Sequence, residues 1–124
     1  VLSQRAITLN FYRSAMAGIF LEPQSLINAM PMFHIGSTLA NLWCTGGGTL
    51  YILGSFDAGA FLDAVERHAI NIAALAPSMI GMILAHPAYR PERLRSIRHF
   101  LYGSSPMPAA TLGRIQDETL SSSF

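Results

Sequence analysis

The 124-residue sequence contains no lysine; its eight cationic side chains are all arginine. Without a lysine there is no Schiff-base chemistry, no phosphate-loop lysine and no ammonium to pair with a transferring group. One cysteine, Cys44, rules out an internal disulfide and fits a reducing compartment, so a cytoplasmic location is the expectation. Charge is scarce as well, 12% of residues against about 25% in a typical soluble domain, and hydrophobic residues make up 51%. A domain of this size leaves much of its surface in water, and so few charges cover little of it. The composition is that of an interior and points to a piece of something larger. A net charge of +1 argues against a polyanion-binding protein, so no nucleic-acid partner is expected.

Other absences narrow the chemistry. There is no G-x-S-x-G elbow, so Ser104 and Ser105 beside His34 or His99 do not make a hydrolase signature. The histidines at 34, 68, 86 and 99 lack metal-ligand spacing, and Cys44 adds nothing; no metal site is expected. No basic region followed by a short apolar stretch opens the chain, so no signal peptide is visible. The most apolar stretch, Ile35 to Gly54, is broken by Gly46-Gly47-Gly48 and carries Ser37, Thr38 and Asn41, which leaves membrane contact at most peripheral. Those three glycines precede a strand and follow a helix, the reverse of a phosphate loop, and read as a structural turn. Four arginines between Arg90 and Arg98 read as a solvated loop.

What is present is organised around Met30 to Gly36, MPMFHIG, within a run from Pro23 to Phe56 that carries no charged residue. Such a run is interior in character, which places His34 near a buried surface. One imidazole in an apolar loop names no reaction, and a hydrogen-bonded core histidine is the bland alternative.

Ser3 can cap a helix with Leu9, Tyr12, Met16 and Ile19 on one face, stopped at Glu22-Pro23. Leu26 to Met30 reads as a buried strand, Met32 to Gly36 as a loop at its end, and Thr38 to Cys44 as a helix ended by the glycines. Thr49 to Leu53, Ile70 to Ala76 and Ile97 to Tyr102 read as further strands. Between them, Asp57 caps a helix with Phe56 and Phe61 as a hydrophobic staple, and Pro77 opens another that ends at His86-Pro87. Gly103 to Pro106 is a tight turn, where a glycine and two small hydroxyl residues let a planar or phosphorylated group approach the backbone, and Pro108 starts a last helix. The rhythm is α/β: a mostly parallel sheet with covering helices, whose ligands sit outside the carboxyl ends of the strands. The loops from Pro31 to Gly36 and from Gly103 to Pro106 qualify.

Together these residues resemble the AMP-forming acyl-CoA synthetases and the wider adenylate-forming family of AMP-dependent synthetases and ligases. PMFHIG is similar to the family's P-x-F-H-x-G segment, and FDAGAFLDAVERHAINIAALAPSM to the helix-strand-proline stretch after it. RLRSIRHFLYGSSPMP resembles the segment leading into the G-G-A-P turn, and VLSQRA the residues that follow the phosphate-binding loop. The resemblance runs from residue 1 to about 120 and implies part of the large N-terminal domain, with 121–124 a tail that reads as a truncation or frameshift.

It further implies a parent that activates a carboxylic acid, fatty or otherwise apolar, with ATP and Mg²⁺ to an acyl-adenylate and passes it to CoA. His34 would gate the acyl pocket against the pantetheine tunnel. Gly103, Ser104, Ser105 and Pro106 would bind the nucleotide, and Ile35, Trp43 and Tyr102 would line the acyl side. The phosphate loop with its Lys, the Y-G-x-T-E motif with its Mg²⁺-holding Glu, the ribose-binding Asp and the small C-terminal domain have no counterpart here. This chain alone is therefore expected to be inactive. An aryl or amino-acid adenylating domain, and a non-catalytic ligand-binding or membrane-associated protein, are the alternatives.

Overall fold

The structure, a computed structural model, describes residues 3–16, 24–103 and 105–120. Four short strands, β1 (Ser25–Asn28), β2 (Thr49–Ile52), β3 (Ile72–Leu75) and β4 (His99–Tyr102), form one parallel sheet in the order β2-β1-β3-β4. The register sets Leu26 beside Leu50 and Ile72, Ile27 beside Tyr51 and Ala73, and Ala74 beside Leu101. Side chains alternate across a strand, so each apolar run is divided between two faces. Every residue of β3 is buried, as expected for an interior parallel strand covered on both sides.

On the first face Ile27, Ala73 and Leu75 pack with α3 (Ala58–His68), α4 (Pro77–Ala85), a 3₁₀ turn (Pro91–Leu94) and α5 (Ala109–Ile115). Phe61, Leu62, Val65, Ile80, Ile83, Leu94, Ile97 and Ile115 supply the interior. Burying each of the larger ones stabilises the fold by about 1.5–3 kcal/mol before chain entropy is set against it. α3 begins where expected: Asp57 is extended, its carboxylate accepts the Ala60 N–H at 2.7 Å, and the Phe56 and Phe61 rings stand 6.5 Å apart. It ends on Ala69 with φ of 48°, a left-handed residue whose N–H closes on Val65 O.

The second face is covered by α2 (Ile35–Thr45) and buries a smaller cluster of Leu26, Ile72, Ala74 and Trp43. α2 starts three residues before the expected Thr38, so the loop is shorter than Met32 to Gly36. Its turn ends at His34, whose N–H donates to Pro31 O.

α1 (Gln4–Met16) is capped by Ser3, whose Oγ accepts the Ala6 N–H at 3.2 Å. Its stripe of Leu9, Tyr12 and Met16 is exposed and not buried as its spacing suggests. The helix meets α2 instead through Ile7, Thr8, Asn10 and Phe11 across a cleft of about 420 Å³. Ile19 and the Glu22-Pro23 stop lie outside the described residues. No described helix is long and apolar enough to cross a membrane.

Candidate functional site

The path of the chain locates the crevice. From β1 it passes along α2 on one face to β2, then crosses by α3 on the other face to β3, on the far side of β1. The strand order therefore reverses between β1 and β3. In open parallel sheets the carboxyl ends at such a switch point frame the ligand crevice. Here that edge carries the turn from Ala29 to His34, and one strand further along, the residues after Tyr102.

His34 stands at this edge, at the amino end of α2, and is exposed. That corrects the expectation of a buried setting. Around His34 the uncharged run divides into β1, whose Leu26 to Asn28 are buried, and a turn that starts at the buried Ala29 and projects past the sheet. In that turn Phe33 is 91% exposed and Met32 is exposed too, as is Ile35 at the start of α2. Ser37 Oγ and the Ser37 N–H both donate to His34 O, at 3.0 and 3.2 Å, so the backbone beneath the imidazole is fixed while the ring meets solvent.

Tyr102 ends β4 beside Leu75 and is 45% exposed; Gly103, Ser105 and Pro106 are exposed after it. Ser104 lies outside the described residues. The His34 turn and the Gly103 loop thus share the carboxyl edge with β3 between their strands.

Trp43 is not brought to that edge. It is 2% exposed, packed with Leu26, Ile72 and Ala74, and its indole N–H donates to Gln24 O at 3.0 Å, just before β1. α2 runs back along the sheet from the carboxyl end of β1 to its amino end. The seven steps from Gly36 to Trp43 rise about 10 Å along the helix, the length of these strands. Gly48 seals that end: a Cβ there would sit 2.6 Å from Trp43 Nε1 and 2.7 Å from Gln24 O.

Asn28 and Gly36 lie under the His34 turn and were not singled out from the sequence. Asn28 is fully buried, and its amide bonds to the turn and to α2. An amide inside the apolar run LINAM is the signal that marks it, since a buried polar group requires partners.

The electrostatics of the edge are neutral, because no Asp, Glu, Lys or Arg lies between Pro23 and Phe56. The residues lining the cleft between α1 and α2, among them Phe11, Ser37, Thr38 and Asn41, are also uncharged. Charges gather at the opposite end of the chain. The Tyr89 hydroxyl donates to Glu118 at 2.6 Å, and Arg114 bonds the same carboxylate at 2.8 Å. Burial and then the carboxylate push the Tyr89 hydroxyl well above its usual pKa. The Tyr89 bond and then Arg114 hold Glu118 below the usual carboxylate range. This network offsets the unfavourable position of acids near a helix carboxyl end. No group of three or more His, Cys, Asp or Glu among the described residues is placed to hold a metal.

Comparison with known proteins agrees with this fold. The AMP-binding enzyme family matches residues 1–121. Feruloyl-CoA synthase of an Amycolatopsis species is 35% identical over 96 residues, 74% of this chain and 19% of that protein. Indoleacetate–CoA ligase of Aromatoleum aromaticum is 28% identical over 110 residues, covering 87% and 22%. Among solved structures, a double mutant of o-succinylbenzoate CoA synthetase from Bacillus subtilis, bound to a product analogue, superposes with a TM-score of 0.70. It is 27% identical, over 88% of this chain and 23% of that one. The chain spans about a fifth of the length of these relatives. With the family match along nearly its whole length, and a parallel α/β sheet like that of the solved structure, the chain belongs to the AMP-binding enzyme family.

Proposed function

We propose that this chain is an internal part of the AMP-binding domain of an AMP-forming acid–CoA ligase. It contributes the acyl-side edge and the thioester gate. The single observation that supports this reading most is His34 on the turn at the β1/β3 switch point, in the segment that resembles the family's P-x-F-H-x-G.

In such a ligase a carboxylate oxygen attacks the α-phosphorus of ATP, releasing pyrophosphate. The CoA thiolate then attacks the acyl carbon and releases AMP. The protein's part is to hold the reacting groups in line and to exclude competing paths. His34 can swing between an orientation that closes the thiol route and one that opens it, since its backbone is fixed and its ring is free. Gly103, Ser104, Ser105 and Pro106 take the adenylate side, with Tyr102 and Ile35 nearest the acyl group. Trp43 has no part in the pocket and serves as a packing residue of α2. The described residues supply no ligand set for Mg²⁺, and none of these roles runs through it.

The acid is aromatic in this reading. Feruloyl, indoleacetate and o-succinylbenzoate all name ring-bearing acids, and the neutral edge suits a flat, uncharged body behind the carboxylate. A long-chain fatty acid is the competing substrate. The test is acid-dependent pyrophosphate release and thioester formation by the full-length ligase that carries this segment, with ferulic, indoleacetic and palmitic acids. The expected result is a kcat/KM at least about tenfold higher for an aromatic acid, a difference of about 1.4 kcal/mol in transition-state binding. Preference for palmitate overturns the aromatic assignment. Transfer to a carrier protein in place of CoA overturns the acceptor. The 124-residue chain by itself is expected to show no carboxylate-dependent pyrophosphate exchange, and exchange above background would contradict its assignment as one part of the catalytic unit.

A further inference from the structure

Among the described residues the interior buries one polar side chain, Asn28, at the last position of β1. Alternation along the strand turns it to the α2 face with Leu26. A buried amide is costly unless both its ends are bonded. The Met30 N–H donates to Asn28 Oδ1 at 3.0 Å, and this fixes the orientation of the amide. Nδ2 must then face the other way, where it donates to Gly36 O at 3.4 Å and meets the Met32 sulfur at 3.4 Å.

One side chain therefore touches the segment on both sides of His34. Gly36 lets the turn close on it: a Cβ there would lie 2.7 Å from both Met30 O and Pro31 O, and 2.9 Å from Asn28 Nδ2. Any larger residue forces the turn off the amide.

We propose that Asn28 is a positioning residue for His34: with Gly36 it ties residues 30–36 into a closed loop and so sets where the imidazole stands at the switch point. This deepens the ligase reading and rests on it for its chemical consequence, which is control of thioester formation. The geometric part stands apart from that reading and is tested without substrate.

The experiment is nuclear magnetic resonance on the labelled 124-residue chain and on Asn28→Leu and Asn28→Asp. It follows amide exchange at Met30, amide exchange across β3 as the measure of overall stability, and the His34 ring signals. Asn28→Leu is expected to speed exchange at Met30 roughly tenfold beyond any change in β3, the loss of one net hydrogen bond, and to move the His34 signals. Asn28→Asp keeps the acceptor for Met30 but removes the donor to Gly36. It is expected to leave Met30 protected while still moving His34, and it carries the test if the leucine variant does not fold. Unchanged His34 signals in the folded variants, or changes at Met30 and His34 that only track β3, overturn the proposal.

In the full-length ligase, Asn28→Asp is expected to slow thioester formation while leaving adenylate formation within about twofold. If His34→Ala leaves thioester formation untouched, the gating role of His34 fails, whatever the resonance experiment shows. If His34→Ala slows that step and Asn28→Asp does not, the positioning role fails alone.

Discussion

On one face of the sheet Ile27, Ala73 and Leu75 meet Phe61, Leu62, Val65, Ile80 and Ile83; on the other, Leu26, Ile72 and Ala74 meet Trp43. The first face is held by apolar mass spread over three helices and a 3₁₀ turn. The second depends on single points: an indole N–H on Gln24 O, an amide on Met30 and Gly36, and glycines at 36 and 48 where no Cβ fits. Stability is thus concentrated away from the proposed site. The side that carries His34 is specified by a few directional bonds, which place a loop more sharply than apolar contact does.

The strongest way to break this contrast is to remove mass from the first face. Phe61→Ala is expected to destabilise the chain by about 3–5 kcal/mol, read as a shift in the denaturant midpoint. A cost under about 1 kcal/mol would show that the first face does not carry the fold. On the second face Gly48→Ala is expected to cost about 1–3 kcal/mol, because the new methyl overlaps Trp43 Nε1 and Gln24 O. The accompanying sign is a change in Trp43 fluorescence, and full stability with unchanged emission would contradict the seal.

Those expectations separate what the sequence carries from what it does not. The strands were legible to within two residues because β1 and β3 are apolar runs between turn signals, and the caps at Ser3 and Asp57 and the helix start at Pro77 follow from local chemistry. The environment of His34 was not legible. Hydropathy averages over Pro23 to Phe56, yet the sheet ends at Asn28 and the same composition then serves a solvent-facing turn. Trp43 was misplaced because its pocket role came from resemblance alone, whereas the direction and length of α2 decide which end of the sheet it reaches. The exposed stripe of α1 has a related cause: spacing defines a face, and only packing decides what covers it. Asn28 was visible as a polar interruption, but its partners come from residues two and eight positions on, which only the folded turn assembles.

Smaller effects sharpen the contrast. Trp43→Phe keeps most of the apolar area and drops the bond to Gln24 O, for an expected loss of about 1 kcal/mol. Denaturant unfolding checks it, and no loss would leave the Trp43 end of α2 held by area alone. Arg93 bridges Asp63 and Glu66 on the outer side of the first face, with both acids well exposed. Arg93→Ala is expected to cost at most about 1 kcal/mol in low salt and less in high salt.

The gentlest dependence is on acid. Glu118 has a folded pKa below its unfolded one, so its contribution is present above the unfolded value and fades as pH falls through the folded value. Stability measured from pH 6 downwards is expected to fall more steeply for the wild type than for Glu118→Gln. Parallel curves would remove the Tyr89–Glu118–Arg114 network from the stabilising contacts.

The most direct measurement of the role given to this edge is the rate of each half-reaction in the full-length ligase with His34→Ala. Acid-dependent adenylate formation is expected to stay within a few-fold of wild type, while thioester formation falls by up to about 100-fold through lost alignment of the thiol route. Equal loss in both steps, or loss in neither, would contradict a gate at the switch point between β1 and β3.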